Sequence, residues 1–277
     1  MITDQALNTA LRHWGVRAVP FSDNPGEAPF PSAPWEQALR LLEQTAALRS
    51  LMLLHGDNGV GKSALVGHWL STLEPKVYLP LNITHATLRG SGLLAVLLLK
   101  LGQKPSLMRS RNLARFEEAI KDLGRLTPVL VLDEAQHYPP GALEEIRLLL
   151  GLNLARQPVL ALVLIGDLYL QETLRLGHHR ALYSRIAVQF ALAALEPTQI
   201  EPYLLHSLRQ VGLERPAFTP AAVDLLAAAS QGLPRQLNLL ARSAWITAAQ
   251  AKANTIEPQH VQVALQLVPS AADKIHR

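Results

Sequence analysis

A glycine-rich segment, residues 56–63, has the residue types and the spacing needed to hold a phosphate group. It consists of Gly-Asp-Asn-Gly-Val-Gly-Lys-Ser and fits the pattern G-x-x-x-x-G-K-[ST] at every fixed position. Glycine permits backbone conformations that turn several N–H groups toward one point, and the positive end of a following helix suits an anion. An apolar run precedes the segment and a helical pattern follows it, as this chemistry requires. The alternative is a glycine-rich turn that Lys-Ser follows by chance.

The residues of this segment have distinct expected roles. We expect Lys62 to place its charge beside the β- and γ-phosphates of a nucleotide, and Ser63 to offer its hydroxyl to Mg²⁺. The expected nucleotide-binding residues are Gly56, Asp57, Asn58, Gly59, Val60, Gly61, Lys62, Ser63 and Ala64.

A pair of carboxylates follows roughly 75 residues downstream, at the end of an apolar run. Residues 129–136 are Val-Leu-Val-Leu-Asp-Glu-Ala-Gln. Ligands of a parallel sheet bind beyond the carboxyl ends of its strands, so we expect Asp133 to hold Mg²⁺ directly or through water. Glu134 is suited to polarise an attacking water, which favours hydrolysis over transfer to a small molecule. The alternative is a strand followed by a solvated acidic turn.

Strand and helix patterns alternate through about residue 193. The predicted strands are continuously apolar, which is typical of a parallel sheet that helices cover on both faces. After residue 195, helical patterns separated by Gly or Pro continue without a strand signal. The predicted strands are 51–54, 77–81, 129–132, 159–165 and 187–191, and the late helices are 196–211, 219–230, 233–252 and 257–268. We therefore predict an α/β fold of three layers with a small all-helical second domain.

These patterns and the composition predict the domain organisation. We expect an N-terminal helix and extended arm over 1–35, the α/β domain over 36–193 and the helical domain over 194–277. The 277 residues are 49% apolar and 17% charged, which excludes a disordered protein. Without cysteine there is no disulfide framework, zinc ribbon or cysteine nucleophile.

We expect no signal peptide at the N-terminus, and the longest apolar run, 93–99, has seven residues. A bilayer needs about 20. We therefore expect a soluble, cytoplasmic protein with no membrane partner.

The two motifs and the helical C-terminal region resemble an AAA+ ATPase. The closer likeness is to the ExeA, or general secretion pathway protein A, group, which is similar to transposition helper ATPases of the TnsC, TniB, IstB and MuB types. Pro20-Phe21 resembles a Pro-Phe element of that group, residues 219–222 resemble its lid helix start, and residues 232–238 resemble its G-x-P-R-x-I-N element. The resemblance covers residues 15–268. It implies a P-loop (ASCE/AAA+) fold with a helical lid, ATP as substrate and Mg²⁺ as cofactor.

The resemblance also implies two catalytic arginines besides Lys62 and Glu134. Arg185, in a Tyr-Ser-Arg-Ile stretch, resembles the finger that a neighbouring subunit inserts, and Arg180 competes for this role. Either arginine is otherwise an ordinary surface residue. Arg235, within residues 232–238, resembles a sensor that reports the γ-phosphate to the lid, and its alternative is a helix cap or a surface ion pair.

Two further positions leave alternatives open. Asp167 stands where many AAA+ proteins have an Asn, Ser or Thr sensor, and ExeA-like chains have Gly-Gln-Pro where this chain has Gly-Asp-Leu. This departure puts a third carboxylate near the phosphates and leaves the sensor role of Asp167 open. Phe21 either approaches the adenine or anchors the extended arm by packing.

Residues 83–125 concentrate positive charge, because eight basic residues minus three acidic ones give +5 and leave −1 for the rest of the chain. Related transposition ATPases contact DNA with the corresponding loops and helices, and such charge attracts the duplex backbone with little sequence preference. The alternative is a solvated helix face. The expected DNA-contacting residues are Thr84, His85, Thr87, Arg89, Lys104, Arg109 and Arg111.

Several functions agree with these features. We favour an ATPase that assembles as a ring or filament on double-stranded DNA and regulates transposition, with a transposase or transposition adaptor as partner. The alternative is an ExeA-like secretion-associated or protein-remodelling ATPase, whose relatives continue into a membrane segment and a peptidoglycan-binding module that these residues lack. A P-loop kinase lacks an evident acceptor pocket, and an intact acidic pair argues against a module that does not hydrolyse.

Overall fold

The computed structural model describes residues 4–22, 29–83, 92–151 and 158–268. These residues form five β-strands and twelve α-helices. The strands are β1 (Leu51–His55), β2 (Tyr78–Ile83), β3 (Thr127–Leu132), β4 (Ala161–Gly166) and β5 (Ile186–Ala191). The helices are α1 (Asp4–Trp14), α2 (Ala33–Ala47), α3 (Lys62–Thr72), α4 (Gly92–Lys100), α5 (Arg109–Asp122), α6 (Pro140–Leu149), α7 (Leu168–Arg175), α8 (Arg180–Tyr183), α9 (Pro197–Gln210), α10 (Pro220–Ser230), α11 (Pro234–Gln250) and α12 (Pro258–Leu267).

The five strands form one parallel sheet in the order β2-β3-β4-β1-β5. The register is continuous across the middle three strands, where Val163 pairs with Met52 on one side and with Val131 on the other. Since all strands run the same way, the carboxyl ends of β3, β4 and β1 lie side by side at one edge.

The middle strands are apolar because helices cover both faces of the sheet. Every residue of β1, β3 and β4 is buried. Leu53, Leu132 and Leu164 belong to one core cluster with residues of α4 to α8. Side chains alternate along a strand, so Met52 and Val163 point to the opposite face, and α2 packs against β1, β4 and β5. The outer strands β2 and β5 alternate in burial, as edge strands do. The predicted fold class is confirmed.

The chain divides into two compact units. The sheet unit takes its described residues from Ala33–Asn58 and Leu65–Leu192. The helical unit takes its own from Met1–Ser32, Gly59–Ala64 and Ala193–Arg277. Helix α1 therefore belongs with the C-terminal helices, although 231 residues separate Trp14 from its partner Trp245.

Aromatic side chains hold the N-terminal segment to the helical unit. The rings of Trp14 and Trp245 stack with centroids 6.3 Å apart, and the indole N–H of Trp14 donates to the Trp245 carbonyl at 3.1 Å. Phe21 is 2% exposed and meets the Phe218 ring edge-on at 5.8 Å. This burial favours the packing anchor over an adenine contact for Phe21.

The helices of the helical unit begin where sequence signals place them. Proline at the first helical position loses no hydrogen bond, because that N–H has no partner inside a helix. Capping boxes at Glu196 and Glu257 satisfy further N–H groups at the starts of α9 and α12. The initial prolines are Pro197, Pro220, Pro234 and Pro258.

The sequence did not indicate α7 and α8. Gly177–His179 forms a 3-10 turn that leads directly into α8. Eight and four residues are too few for helical periodicity to stand out. Leu170, Leu174 and Leu182 of this region are nevertheless buried in the sheet unit.

We predict that Trp14→Ala destabilises the helical unit by about 3–5 kcal/mol, because it removes a buried indole and leaves a cavity. The measurement is the free energy of unfolding from urea denaturation. Arg12→Ala changes an exposed residue of the same helix and should stay within about 0.5 kcal/mol of the unchanged protein. Equal stabilities for the two variants would contradict the packing of α1.

Candidate functional site

The glycine-rich segment forms a loop between β1 and α3. Gly56, Gly59 and Gly61 have φ angles of 151°, 90° and 105°, a region that residues with a side chain rarely adopt. Lys62 is the first residue of α3 and is 6% exposed, and Ser63 follows in the first turn. N–H groups without intrahelical partners and the helix dipole make this end of α3 suited to an anion.

The helical unit includes part of this loop, and Arg235 contacts it there. The backbone N–H of Arg235 donates to the Gly59 carbonyl at 3.1 Å. A Cβ atom on Gly59 would lie 3.1 Å from the Cβ of Arg235. Both this close approach and the φ angle of residue 59 therefore favour glycine at this position. Leu233, the N-cap of α11, provides no side-chain cap, and the loop carbonyl supplies an acceptor instead.

The two carboxylates of the second motif follow β3 in a tight turn. The backbone N–H of Asp133 donates to the Ile83 carbonyl of β2 at 3.2 Å, which continues the ladder one residue beyond the strands. Asp133 Oδ1 accepts from the backbone N–H of Glu134 at 2.9 Å. Glu134 has a left-handed backbone with φ 51° and ψ 44°. Non-glycine residues adopt this conformation at a cost, and such strain is common where side chains do chemistry.

Gln136 forms a hydrogen bond with the Glu134 carboxylate. The sequence analysis did not identify Gln136 as a site residue. Its side-chain Nε2 donates to Glu134 Oε2 at 2.6 Å, while Nδ1 of His137 lies 3.8 Å from the same oxygen. The only sequence signal was the position of Gln136 in the Asp-Glu-Ala-Gln motif.

Gly166, at the end of β4, makes room for Gln136. The buried Gln136 Oε1 has no hydrogen-bond partner among the described residues. A Cβ atom on Gly166 would lie 2.8 Å from this Oε1 and 2.5 Å from Leu170 Cδ2. The absence of a side chain at Gly166 therefore determines the position of the Gln136 amide. Because this amide donates to Glu134, it also orients the Glu134 carboxylate.

Tyr138 is a second residue that the sequence analysis missed. It is 4% exposed and its hydroxyl donates to the Ile83 carbonyl at 3.1 Å. Burial, together with the negative charge of Asp133, raises the pKa of Tyr138 to about 12. The phenol therefore stays neutral and remains a hydrogen-bond donor at physiological pH.

Asp167, directly after β4, caps the start of α7. It is the N-cap of α7, and its Oδ1 accepts from the Leu170 N–H at 3.1 Å. Aspartate is among the preferred N-cap residues, which accounts for a carboxylate at this position.

The two candidate finger arginines differ in their surroundings. The guanidinium of Arg185 donates from Nη1 to the carbonyl of Arg147 at 2.9 Å and lies against Gly151 in the same chain. Arg180 is the first residue of α8 and is exposed. Arg180 can therefore reach another molecule directly, whereas Arg185 must first leave the Arg147 carbonyl.

Of the expected DNA-contacting residues, Thr84, His85, Thr87 and Arg89 lie outside the described residues. Lys104, Arg109 and Arg111 are described and exposed. Nε of Arg109 lies 3.4 Å from Oε1 of the buried Glu145, so this arginine is partly neutralised within the sheet unit. Lys104 and Arg111 are therefore the stronger candidates of the three.

Comparison with known proteins gives a family match for part of the chain. Residues 46–174 match the AAA domain. The match to the AAA domain spans the glycine-rich loop and the Asp133-Glu134 pair and ends before Arg185 and Arg235. Over 120 residues the chain is 39% identical to the general secretion pathway protein A of Aeromonas hydrophila, a stretch that is 43% of this chain and 22% of that protein. The chain thus matches only about a fifth of this relative's length.

Solved structures share the fold of most of this chain. The Aeropyrum pernix ORC1 protein in complex with DNA has a TM-score of 0.64 at 22% identity, over 85% of this chain and 64% of its own. Cdc6p from Pyrobaculum aerophilum has a TM-score of 0.67 at 19% identity, over 96% and 74%. The Thermotoga maritima RuvB Holliday junction branch migration motor has a TM-score of 0.59 at 17% identity, over 86% and 69%.

At these identities the structures show the fold alone. Within the described part of the chain, no helix combines the length and the apolar character needed to cross a bilayer.

We predict that Gly166→Ala lowers the melting temperature by several degrees, since forcing a methyl group into this contact costs about 1–3 kcal/mol. It should also lower ATP turnover, because the added Cβ displaces Gln136 from Glu134. Thermal unfolding and steady-state turnover measure the two effects. Gly177→Ala is the matched control, because a Cβ there meets nothing within 4 Å. If the two variants behaved alike, Gly166 would have no role in placing Gln136.

Proposed function

We propose that this protein hydrolyses ATP by attack of water on the γ-phosphate. One observation carries the proposal: a loop with three left-handed glycines leaves β1 at the sheet edge where Asp133 and Glu134 leave β3. Phosphate binding needs converging N–H groups, and hydrolysis needs a carboxylate that polarises water. Both occur at the carboxyl ends of strands of one sheet, with the end of β4 between them.

In this proposal the loop binds the phosphates through its N–H groups and the charge of Lys62. Residues 56–64 contribute these groups, and their backbone N–H donors and helix terminus fit an anion. Mg²⁺, when bound, would screen the phosphate charge, and the oxygens of Ser63 and Asp133 are ligands of the type it prefers. Mg²⁺ commonly takes only one or two protein oxygens beside phosphate and water, so this donor set fits it.

Glu134 then acts as the general base. Its carboxylate is exposed enough to meet water, and the Gln136 amide fixes its orientation through the 2.6 Å hydrogen bond. Tyr138 and the Asp133 N–H share the Ile83 carbonyl, so the turn that presents both carboxylates is held to β2.

Two arginines complete the proposed mechanism. A neighbouring subunit would supply Arg185 or Arg180, whose permanent charge offsets the charge that develops on the γ-phosphate. The exposure of Arg180 supports it as strongly as the sequence resemblance supports Arg185. Arg235 would report the γ-phosphate to α11, and its backbone contact with Gly59 supports a link between loop and helix.

We further infer that the protein assembles with itself on double-stranded DNA and regulates DNA transposition through a transposase or adaptor. Two observations support a DNA role: the net charge of +5 over residues 83–125 and the fold shared with an ORC1 protein whose structure is a complex with DNA. Identity to general secretion pathway protein A favours the second candidate, an ExeA-like secretion-associated or protein-remodelling ATPase. Stimulation of ATP turnover by DNA would distinguish these two candidate functions.

Two variants test the hydrolytic site. We expect Lys62→Ala to weaken ATP binding about 100-fold, near 3 kcal/mol, because it removes a phosphate-bound charge. We expect Glu134→Gln to bind ATP normally while turnover falls by about 10²–10⁴. Fluorescent-nucleotide titration and phosphate release measure these quantities. Unchanged affinity in the first variant, or unchanged turnover in the second, would remove that residue from the mechanism.

The DNA role is tested by ATP turnover with and without long duplex DNA at several salt concentrations, with Lys62→Ala as the blank. Stimulation that fades with salt is expected. The double variant of Lys104→Ala and Arg111→Ala should lower the slope of log affinity against log salt by about 2, since each phosphate contact contributes roughly 0.9. Arg40→Ala, which changes an exposed arginine of the sheet unit, should keep the slope. Turnover indifferent to DNA would favour the secretion-type or remodelling role.

A further inference from the structure

A cavity of about 260 Å³ lies in the sheet unit between α4, α5 and α6. It is separate from the glycine-rich loop and from the carboxylate pair. Its walls are largely leucine, and its polar groups are contributed by Arg109, Ser110 and Glu145. The apolar wall residues are Leu94, Leu113, Leu148 and Leu149.

Glu145 places a buried carboxylate in the wall of this largely apolar cavity. Its side chain is 4% exposed, and burial raises the pKa of its carboxyl. Oε2 accepts from the Leu94 N–H in the first turn of α4 at 3.4 Å, which is a long contact. Oε1 lies 3.4 Å from Nε of Arg109 but accepts no hydrogen bond from any described residue. A buried acceptor left without a donor costs free energy, which an incoming donor would recover.

The chemistry of the cavity restricts what can occupy it. The walls require an apolar body, and Oε1 of Glu145 offers a place for one hydrogen-bond donor. A second cation would meet the charge of Arg109, so a neutral donor fits better than an ammonium or guanidinium group. A cavity of about 150 Å³ is enough to hold benzene, so this one has room for a phenol ring. Tyrosine has such a body and such a donor.

The rim of the cavity has the features of a protein interface. Leu107 and Met108 are exposed apolar residues that directly precede Arg109, and Leu148 on the wall is also partly exposed. Methionine, arginine and aromatic residues are enriched in interfaces. Lys104 and Arg111 add positive charge nearby, so a matching surface would carry carboxylates.

Helix α7 of the same chain presents such a surface. Tyr169 is 64% exposed and its neighbour Leu168 is 51% exposed. Glu172, three residues after Tyr169, is exposed and lies on the same helix face. An aromatic donor, an apolar neighbour and a carboxylate therefore lie together, each exposed among the described residues of the sheet unit.

We propose that Tyr169 of one copy of this chain enters the cavity between α4, α5 and α6 of a second copy, donating its hydroxyl to Glu145. Glu172 of the first copy then lies toward Lys104 and Arg111 of the second. The two surfaces are different, so each copy uses one surface for each neighbour, and the contact builds a ring or a filament. The inference rests on the self-assembly in the proposed function and assigns the surfaces that form it, but it does not depend on hydrolysis.

The test uses complementation between two variants of the full chain. Tyr169→Ser removes the inserted ring, and Leu148→Trp fills the cavity from its partly exposed wall. Neither residue is in the hydrolytic site. Sedimentation velocity, with and without ATP and Mg²⁺, should show that each variant alone self-associates at least about 30-fold more weakly than the unchanged chain. Leu99→Ser, an exposed residue of α4 outside the cavity lining, should associate normally.

A mixture of the two variants decides the matter. The Leu148→Trp chain keeps Tyr169 and the Tyr169→Ser chain keeps an open cavity, so the mixture should form heterodimers and nothing larger. Tyr169→Phe, which keeps the ring but loses the donor, should weaken association by about 3- to 10-fold.

Three results would overturn the proposal: a monomeric unchanged chain, unimpaired association of either variant, or no pairing in the mixture. If p-cresol bound the cavity while Tyr169→Ser still associated normally, the occupant would come from another protein. ATP binding, measured separately on each variant, distinguishes failure of this interface from failure of the proposed function.

Discussion

Parallel pairing of β3, β4 and β1 is the constraint on which the candidate site depends. All three strands are buried on both faces, so none of their core positions can carry a polar group without a cost. Asp133 and Glu134 accordingly follow the last residue of β3. Because neighbouring strands lie about 4.8 Å apart, the loop after β1 and the carboxylates after β3 start roughly 10 Å from each other, with the end of β4 between them.

The close packing at the carboxyl ends of these strands restricts which residues fit there. β4 ends in Gly166, whose missing side chain leaves space for the Gln136 amide, and Asp167 begins the next helix at once. The Glu134 backbone enters a left-handed conformation that turns the chain toward this space. The same edge thus combines tight backbone geometry with an exposed carboxylate.

The sequence predicted what is local and missed what depends on strand order. The glycine-rich loop and the Asp133-Glu134 pair are contiguous motifs beside clear strand patterns, so both could be found without a structure. The link between Gln136 and Gly166 joins the ends of β3 and β4, and apolar periodicity does not say which strands are neighbours. The packing of Trp14 on Trp245 could not be predicted either, because the two residues are 231 positions apart in the sequence. Helix α7 was too short to show a period, and its cap, Asp167, was considered only as a sensor.

The hydrogen bond between Arg235 and Gly59 has a consequence for measuring motion in this protein. The N–H groups in the first turn of a helix usually face water or a side-chain cap. Here the Arg235 amide donates to the loop carbonyl, so solvent reaches this hydrogen only when loop and helix separate. The rate at which deuterium replaces it therefore follows the opening of the loop. Deuterium exchange at this single amide, more than 170 residues away in sequence, therefore reports the motion of the glycine-rich loop.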